Sequence, residues 1–222
     1  MNKNIIVSFF VLSLALTLSG AGCNTNNNAN ATNNTTNVSA TAVASSTANS
    51  EESNKKLLEY AITTGPKDSK VTIIEASDFQ CPACRSIQPN FKQVVEKYRD
   101  QVQFGYVPYP LSYHENALPA AKAVEAAQIQ GKGWEMYEKL FEGDSLDITK
   151  IDQVAKDLGL DMDKFNSDKD STDVANKITN VQALLDNLNL QGTPTFYING
   201  VEFTGNPTLA GFETQIKQLL GK

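Results

Sequence analysis

Residues 71–85 read Val71-Thr72-Ile73-Ile74-Glu75-Ala76-Ser77-Asp78-Phe79-Gln80-Cys81-Pro82-Ala83-Cys84-Arg85. Val71 to Ala76 is a near-continuous apolar run, the pattern of a strand covered on both faces. A helix follows, because Ile87, Phe91, Val94, Val95 and Tyr98 recur at offsets of 4, 3, 1 and 3 and form one apolar stripe ending near Arg99. Pro89 lies within this stripe and is expected to kink the helix. The two cysteines stand at the joint between strand and helix. Cys81 falls at or just before the helix N-terminus, where free N–H groups and the macrodipole stabilise an anion and so favour a thiolate. Pro82 suits the first helical position, having no N–H to leave unpaired there. Cys84, one turn on, shares a face with Ile87 and Phe91. The expected division of labour is an exposed Cys81 that attacks and a sheltered Cys84 that resolves.

That geometry implies a mechanism. A substrate thiolate attacks a Cys81–Cys84 disulfide at the Cys81 sulfur, forms a mixed disulfide, and is displaced by the substrate's second thiol; the reverse direction reduces a substrate. Two plainer uses of the pair compete with it. A closed structural zinc site needs four ligands, and only Cys23 and His114 remain as sulfur and imidazole donors, so no metal is expected. A purely structural disulfide of this spacing would constrain very little chain. No cofactor is expected either.

Outward from this joint, Val102, Phe104 and Tyr106 alternate with Gln101, Gln103 and Gly105, which predicts a second strand closed by Pro108 and Pro110. From Asn116 to about Asn189 the pattern is helical: an Ala-rich segment to Gln130, Gly133 to Phe141 with Trp134, Tyr137 and Leu140, Ile148 to Leu158, and Thr172 to Leu188. Strand patterning returns at Thr195–Ile198 and Val201–Phe203, joined by Asn199-Gly200, the dipeptide best suited to a two-residue type I′ turn. A last helix uses Leu209, Phe212, Ile216 and Leu219 or Leu220. Upstream, Glu51 to Ile62 reads as a short helix with Leu57, Leu58 and Ile62 on its apolar side. The order strand, helix, strand, helical block, hairpin, helix describes an α/β fold in which both ends of the chain enter one sheet.

The 222 residues carry 19 Lys and Arg against 25 Asp and Glu, a formal charge of -6. That acidity argues against a nucleic-acid partner, which would need clustered cations on one face. With 41% hydrophobic residues the chain can bury one core of ordinary size, which excludes fibrous and wholly disordered classes. Residues 1–22 read as a secretion signal: Lys3, an apolar run from Ile5 to Leu18, and small residues to Gly22. The run spans roughly 21 Å as a helix, short of a ~30 Å hydrocarbon core. Residues 23–54 are rich in Asn, Thr, Ser and Ala and predict a disordered tether with a root-mean-square span of roughly 30 Å. Residues 55–222 form the expected domain, with its helical insertion at about 112–189.

Small residues followed at once by Cys23 resemble the lipobox of bacterial lipoproteins, although Gly20 stands where that family prefers Leu. The resemblance implies a lipidated Cys23 and a membrane held through an N-terminal lipid; cleavage after Ala21 with a soluble secreted product is the alternative. Strand, Cys81-Pro82-Ala83-Cys84, helix, helical insertion and Gly192-Thr193-Pro194-Thr195 before a hairpin resemble the DsbA-like branch of the thioredoxin superfamily. The resemblance covers about Lys70 to Lys222 and implies a thioredoxin fold with a helical insertion between the second strand and the C-terminal hairpin. It implies a cis Pro194 against the active disulfide, and Thr193, with Pro82 and Ala83, as substrate-binding positions. It also implies a buried acid at Glu75 that relays a proton to Cys84, against which stands a strand-end carboxylate reaching solvent. The strongest oxidants of the family place His between the cysteines; Pro82 and Ala83 add no donor side chain, so a weaker oxidant is expected. His114 reads as a solvated loop residue.

The expected function is an exported thiol:disulfide oxidoreductase, monomeric, that forms disulfides in other exported proteins with free thiols and is recharged by a membrane redox partner. A reductase or isomerase of the cell envelope is the alternative within this chemistry, and a non-catalytic binding module for unfolded segments is the alternative outside it.

Overall fold

The computed structural model describes residues 38–143 and 146–222, with side chains from Asn49 onward. Helix α1 (Val38–Tyr60) leads into strand β1 (Ile62–Thr64), strand β2 (Thr72–Ser77), helix α2 (Pro82–Tyr98) and strand β3 (Gln103–Pro108). The insertion follows as α3 (Ala117–Ile129), α4 (Gly133–Phe141), α5 (Ile148–Asp157), α6 (Met162–Lys169) and α7 (Thr172–Asn187). The hairpin β4 (Thr195–Ile198) and β5 (Val201–Glu202) and the helix α8 (Leu209–Leu220) close the chain. The strands form one sheet in the order β1-β3-β2-β4-β5, with β2 and β3 parallel and the other pairs antiparallel. This is the thioredoxin fold with a helical insertion.

The sheet determines where the site lies. Successive residues of a strand face opposite ways, so Ile73, Glu75 and Ser77 point to one side of β2 and Ile74 and Ala76 to the other. Ile73 packs with Phe91, Phe104, Phe196 and Phe212 beneath α2 and α8. Ile74 and Ala76 pack with Leu57, Val181 and Leu185 beneath α1 and α7. A third cluster joins Phe79, Cys81, Cys84 and Tyr106 to Met136, Tyr137 and Leu140 of the insertion. The insertion thus roofs the cysteine pair. Cys84 belongs to this third cluster, while Phe91 and Ile87 pack in the first, so the helix face expected to be shared is split between two cores.

Three expectations change. Ile62 leaves the helix, and Ile62–Thr64 pairs with Tyr106–Phe104 as an edge strand; three residues are too few to display a period, although their β-branched side chains favour extended backbone. The strand before the insertion is therefore the third in chain order. β3 is buried along all six residues, Gln103 included, because helices cover both of its faces. Helix α1 begins at Val38 rather than Glu51, in a stretch without Gly or Pro, so residues 38–54 of the expected tether are helical. Its end is docked, since the Thr72 hydroxyl donates to Asn54 Oδ1 at 2.6 Å. The expected signal, the first part of the tether and Cys23 lie outside the described residues.

The hairpin turn is as expected. Asn199 and Gly200 have φ of 48° and 78°, both left-handed, as a type I′ turn requires. Gly200 is needed twice over, because a Cβ there would also meet the Ser50 carbonyl and the Asn54 nitrogen of α1.

Candidate active site

Cys81 is the N-cap of α2, with extended backbone (φ -63°, ψ 120°) and Pro82 in the first turn. Its loop is held by Asp78, which the sequence reading did not single out. The Asp78 carboxylate is buried; Oδ1 accepts from the Gln80 N–H at 2.7 Å and the Cys81 N–H at 3.2 Å. Oδ2 accepts from the Leu111 N–H at 2.8 Å and pairs with His114 Nδ1 at 2.8 Å. One acid therefore ties the cysteine loop to the start of the insertion. His114, expected to be solvated, is instead the partner of this acid. An aspartate three residues before the cysteine, able to bond backbone two and three residues on, was the signal available. Arg85 adds a second clasp, donating to the carbonyls of Phe79 at 3.0 Å, Leu140 at 3.4 Å and Gly143.

The two sulfurs meet different surroundings. Both are free thiols; Cys81 keeps 7% of its surface and Cys84 none. Cys81 is thus less open than expected, but it remains the accessible member, flanked by exposed Pro82 and Ala83. Its Sγ lies 3.4 Å from the Thr193 carbonyl, and the Thr193–Pro194 peptide is cis. The structure therefore brings Cys81, Thr193 and Pro194 together across 112 residues of chain. For Cys84, burial and then the nearby Glu75 carboxylate push the thiol well above its ordinary range, with the Ser77 and Thr193 hydroxyls acting in the opposite direction.

Glu75 is fully buried, so the strand-end carboxylate reaching solvent does not occur. Loss of water pushes its carboxyl up from 4.5 to about 7, against hydrogen bonds that favour the ionised form. The Tyr137 hydroxyl donates to Oε2, and Gln88 Nε2 donates to Oε1 at 3.0 Å and Oε2 at 2.8 Å. Gln88 Nε2 also reaches the Tyr137 oxygen at 2.9 Å. Around this network lies an aromatic floor, with Phe79 5.3 Å from Tyr106 and Tyr106 4.9 Å from Tyr137 between ring centres. Gln88 and Tyr137 were missed from the sequence because their only signal is spatial: they belong to two helices 49 residues apart. Beside α2 runs a groove of about 740 Å³ lined by Pro82, Arg85, Gln88, Trp134, Tyr137 and Phe141, among others.

A helix that begins on a cysteine, a second cysteine one turn on, a facing cis-proline and an acid beneath them on a central strand define a thioredoxin-fold protein of thiol:disulfide exchange. A thioredoxin family model matches residues 57–218, and the chain belongs to that family, among relatives that are DsbA-like thiol:disulfide oxidoreductases. It is similar to Wolbachia pipientis alpha-DsbA1, at 25% identity over 76% of this chain and 96% of that one, with a TM-score of 0.67. BdbD of Bacillus subtilis shares the fold at 21% identity, over 74% of this chain and 95% of that one, with a TM-score of 0.65. In sequence, the chain is 34% identical over 138 residues to the Na(+)/H(+) antiporter NhaA 3 of Salinispora tropica, covering 61% of this chain and 21% of the antiporter. The chain thus spans about a fifth of that relative's length, and ion transport does not carry over on such a match.

Proposed function

We propose that this chain is an exported oxidoreductase that forms disulfide bonds in other exported proteins through the Cys81–Cys84 pair. The observation that carries the reading is Cys81 at the start of α2 with its sulfur against the Thr193 carbonyl beside Pro194. An extended substrate segment laid along Thr193 would bring its own cysteine to Cys81. Exchange then runs in two steps. A substrate thiolate attacks Cys81 of the disulfide, and Cys84 leaves as a thiolate that takes a proton from Glu75. The substrate's second thiolate then attacks the mixed disulfide and releases Cys81, so that two electrons pass from substrate to enzyme. Glu75, poised near neutrality, suits both donation and its reverse. A membrane redox partner would restore the disulfide.

The direction of net exchange is tested by equilibrating the chain with glutathione buffers. An oxidant gives a potential well above thioredoxin's roughly −270 mV, and a value near thioredoxin's would assign the chain to reduction instead. The same reading places the domain outside the cytoplasm, held by a lipid on Cys23. Detergent partitioning checks this, with the wild type expected in the detergent phase and Cys23→Ser in the aqueous phase; a wild type without acyl mass would remove the anchor.

A further inference from the structure

We propose that Gln88 and Tyr137 position Glu75 and that Tyr137 links it to the groove beside α2, so that the buried carboxyl exchanges its proton with solvent through the Tyr137 hydroxyl. The inference rests on the reading that Glu75 serves Cys84, and it answers what that reading leaves open. Glu75 is fully enclosed, yet each turnover must return a proton to it or remove one. Its hydrogen-bond partners are Gln88 and Tyr137. Both of these side chains also line the groove of about 740 Å³. The remaining polar neighbour, Ser77, is itself buried and offers no exit.

The geometry gives the two residues distinct tasks. Tyr137 is the element that can pass a proton. When Cys84 leaves the disulfide, its thiolate takes the proton of Glu75. The Tyr137 hydroxyl then gives its proton to Oε2 and takes one from water in the groove. The net result is one solvent proton on the Cys84 sulfur and an unchanged Glu75, and the reverse sequence removes that proton when Cys84 attacks. Gln88 carries no proton; its amide bridges both carboxylate oxygens and the Tyr137 oxygen and fixes the orientation of the relay. The titratable groups facing Glu75 among the described residues are Cys84 from α2, Tyr106 from β3 and Tyr137 from α4. From β4 its register partner is the apolar Phe196. Among the described residues no cation is among the causes of its shift, which is set by burial opposed by hydrogen bonds.

The test uses the full chain with oxidised glutathione as probe. The reduced protein forms a mixed disulfide, and the rate at which Cys84 resolves it is followed from pH 5 to 9. The wild type should show an inflection near neutrality that Glu75→Gln abolishes. Tyr137→Phe keeps the ring and loses one hydrogen bond to the carboxylate, so the inflection should move up by about one pH unit. Gln88→Leu, at a partly exposed helix position, should move it in the same direction. In the Glu75→Gln background neither change should alter the profile, which a merely structural role would not predict. An inflection that Glu75→Gln removes but Tyr137→Phe and Gln88→Leu leave in place would overturn the relay alone. Identical profiles for wild type and Glu75→Gln would remove the role of Glu75 and the relay with it.

Discussion

Cys81 and Cys84 are one helical turn apart and occupy opposite chemical settings. Cys81 belongs to a rim made of backbone: the free end of α2, the Asp78-bound loop, and the Thr193 carbonyl. Cys84 belongs to a floor made of side chains, where Glu75, Tyr106 and Tyr137 are all buried. In the proposed exchange, the rim is the accessible target of an approaching sulfur, with the Thr193 carbonyl beside it. The floor penalises charge, so a thiolate formed there must be neutralised at once. Under the proposed function, the same chemical group at the two ends of one turn serves as a nucleophile at the rim and a proton-coupled leaving group at the floor.

The comparison breaks most severely if the floor is emptied. Phe79→Ala or Tyr106→Ala deletes a buried ring from the aromatic cluster, and a loss of about 3–5 kcal/mol is expected. Urea unfolding checks it, and a cost under about 1 kcal/mol would mean the floor is not packed as described.

Glu75→Gln separates charge from packing. A carboxyl that titrates near 4.5 when unfolded and near 7 when folded keeps its proton longer in the native state. The Glu75 contribution to native stability is therefore complete below pH 4.5, falls as pH rises toward 7, and is level above that. The glutamine variant lacks this loss, so its advantage over wild type should be near zero at pH 4 and reach about 3 kcal/mol at pH 8. Denaturation midpoints at the two pH values test this, and an advantage that does not grow with pH would mean Glu75 is ionised at ordinary cost. The variant should also slow exchange by about 100-fold, within the range of general acid–base catalysis.

At the rim, Asp78→Asn keeps the shape and removes a charge that accepts from the Gln80, Cys81 and Leu111 N–H groups. A loss of about 1.5–3 kcal/mol is expected. Slower attack at Cys81 should accompany it, while the pH inflection assigned to the floor stays in place. His114→Gln, which removes one partner of the same acid, should cost about 1 kcal/mol. A larger effect for His114 than for Asp78 would reverse the hierarchy of the loop.

How much of this was legible in the sequence follows the same division. The rim is local: Cys81, Pro82 and the start of α2 could be read from adjacent residues, and so could the Asn199-Gly200 turn. Gly133 to Phe141 was read with its observed ends because its apolar side repeats at helical spacing. Pro194 and Glu75 were found through family resemblance, since neither a cis peptide nor the burial of one acid shows in composition. The floor's remaining parts come from distant elements and were not legible. Tyr137 was read only as one of the residues marking a helix, and Gln88 was not singled out. Edge strand β1 was hidden by its length, and the early start of α1 by a composition that favours disorder when counted but has nothing to break a helix once one is nucleated below it.

The most direct test of the central claim compares two single-cysteine sites. Cys84→Ala and Cys81→Ala are each presented with a reduced, unfolded client and oxidised glutathione, and the mixed disulfides are mapped by peptide mass. Cys84→Ala should accumulate adducts at Cys81, and Cys81→Ala should accumulate none at Cys84. Adducts forming equally at either sulfur, or only at Cys84, would contradict the division between rim and floor.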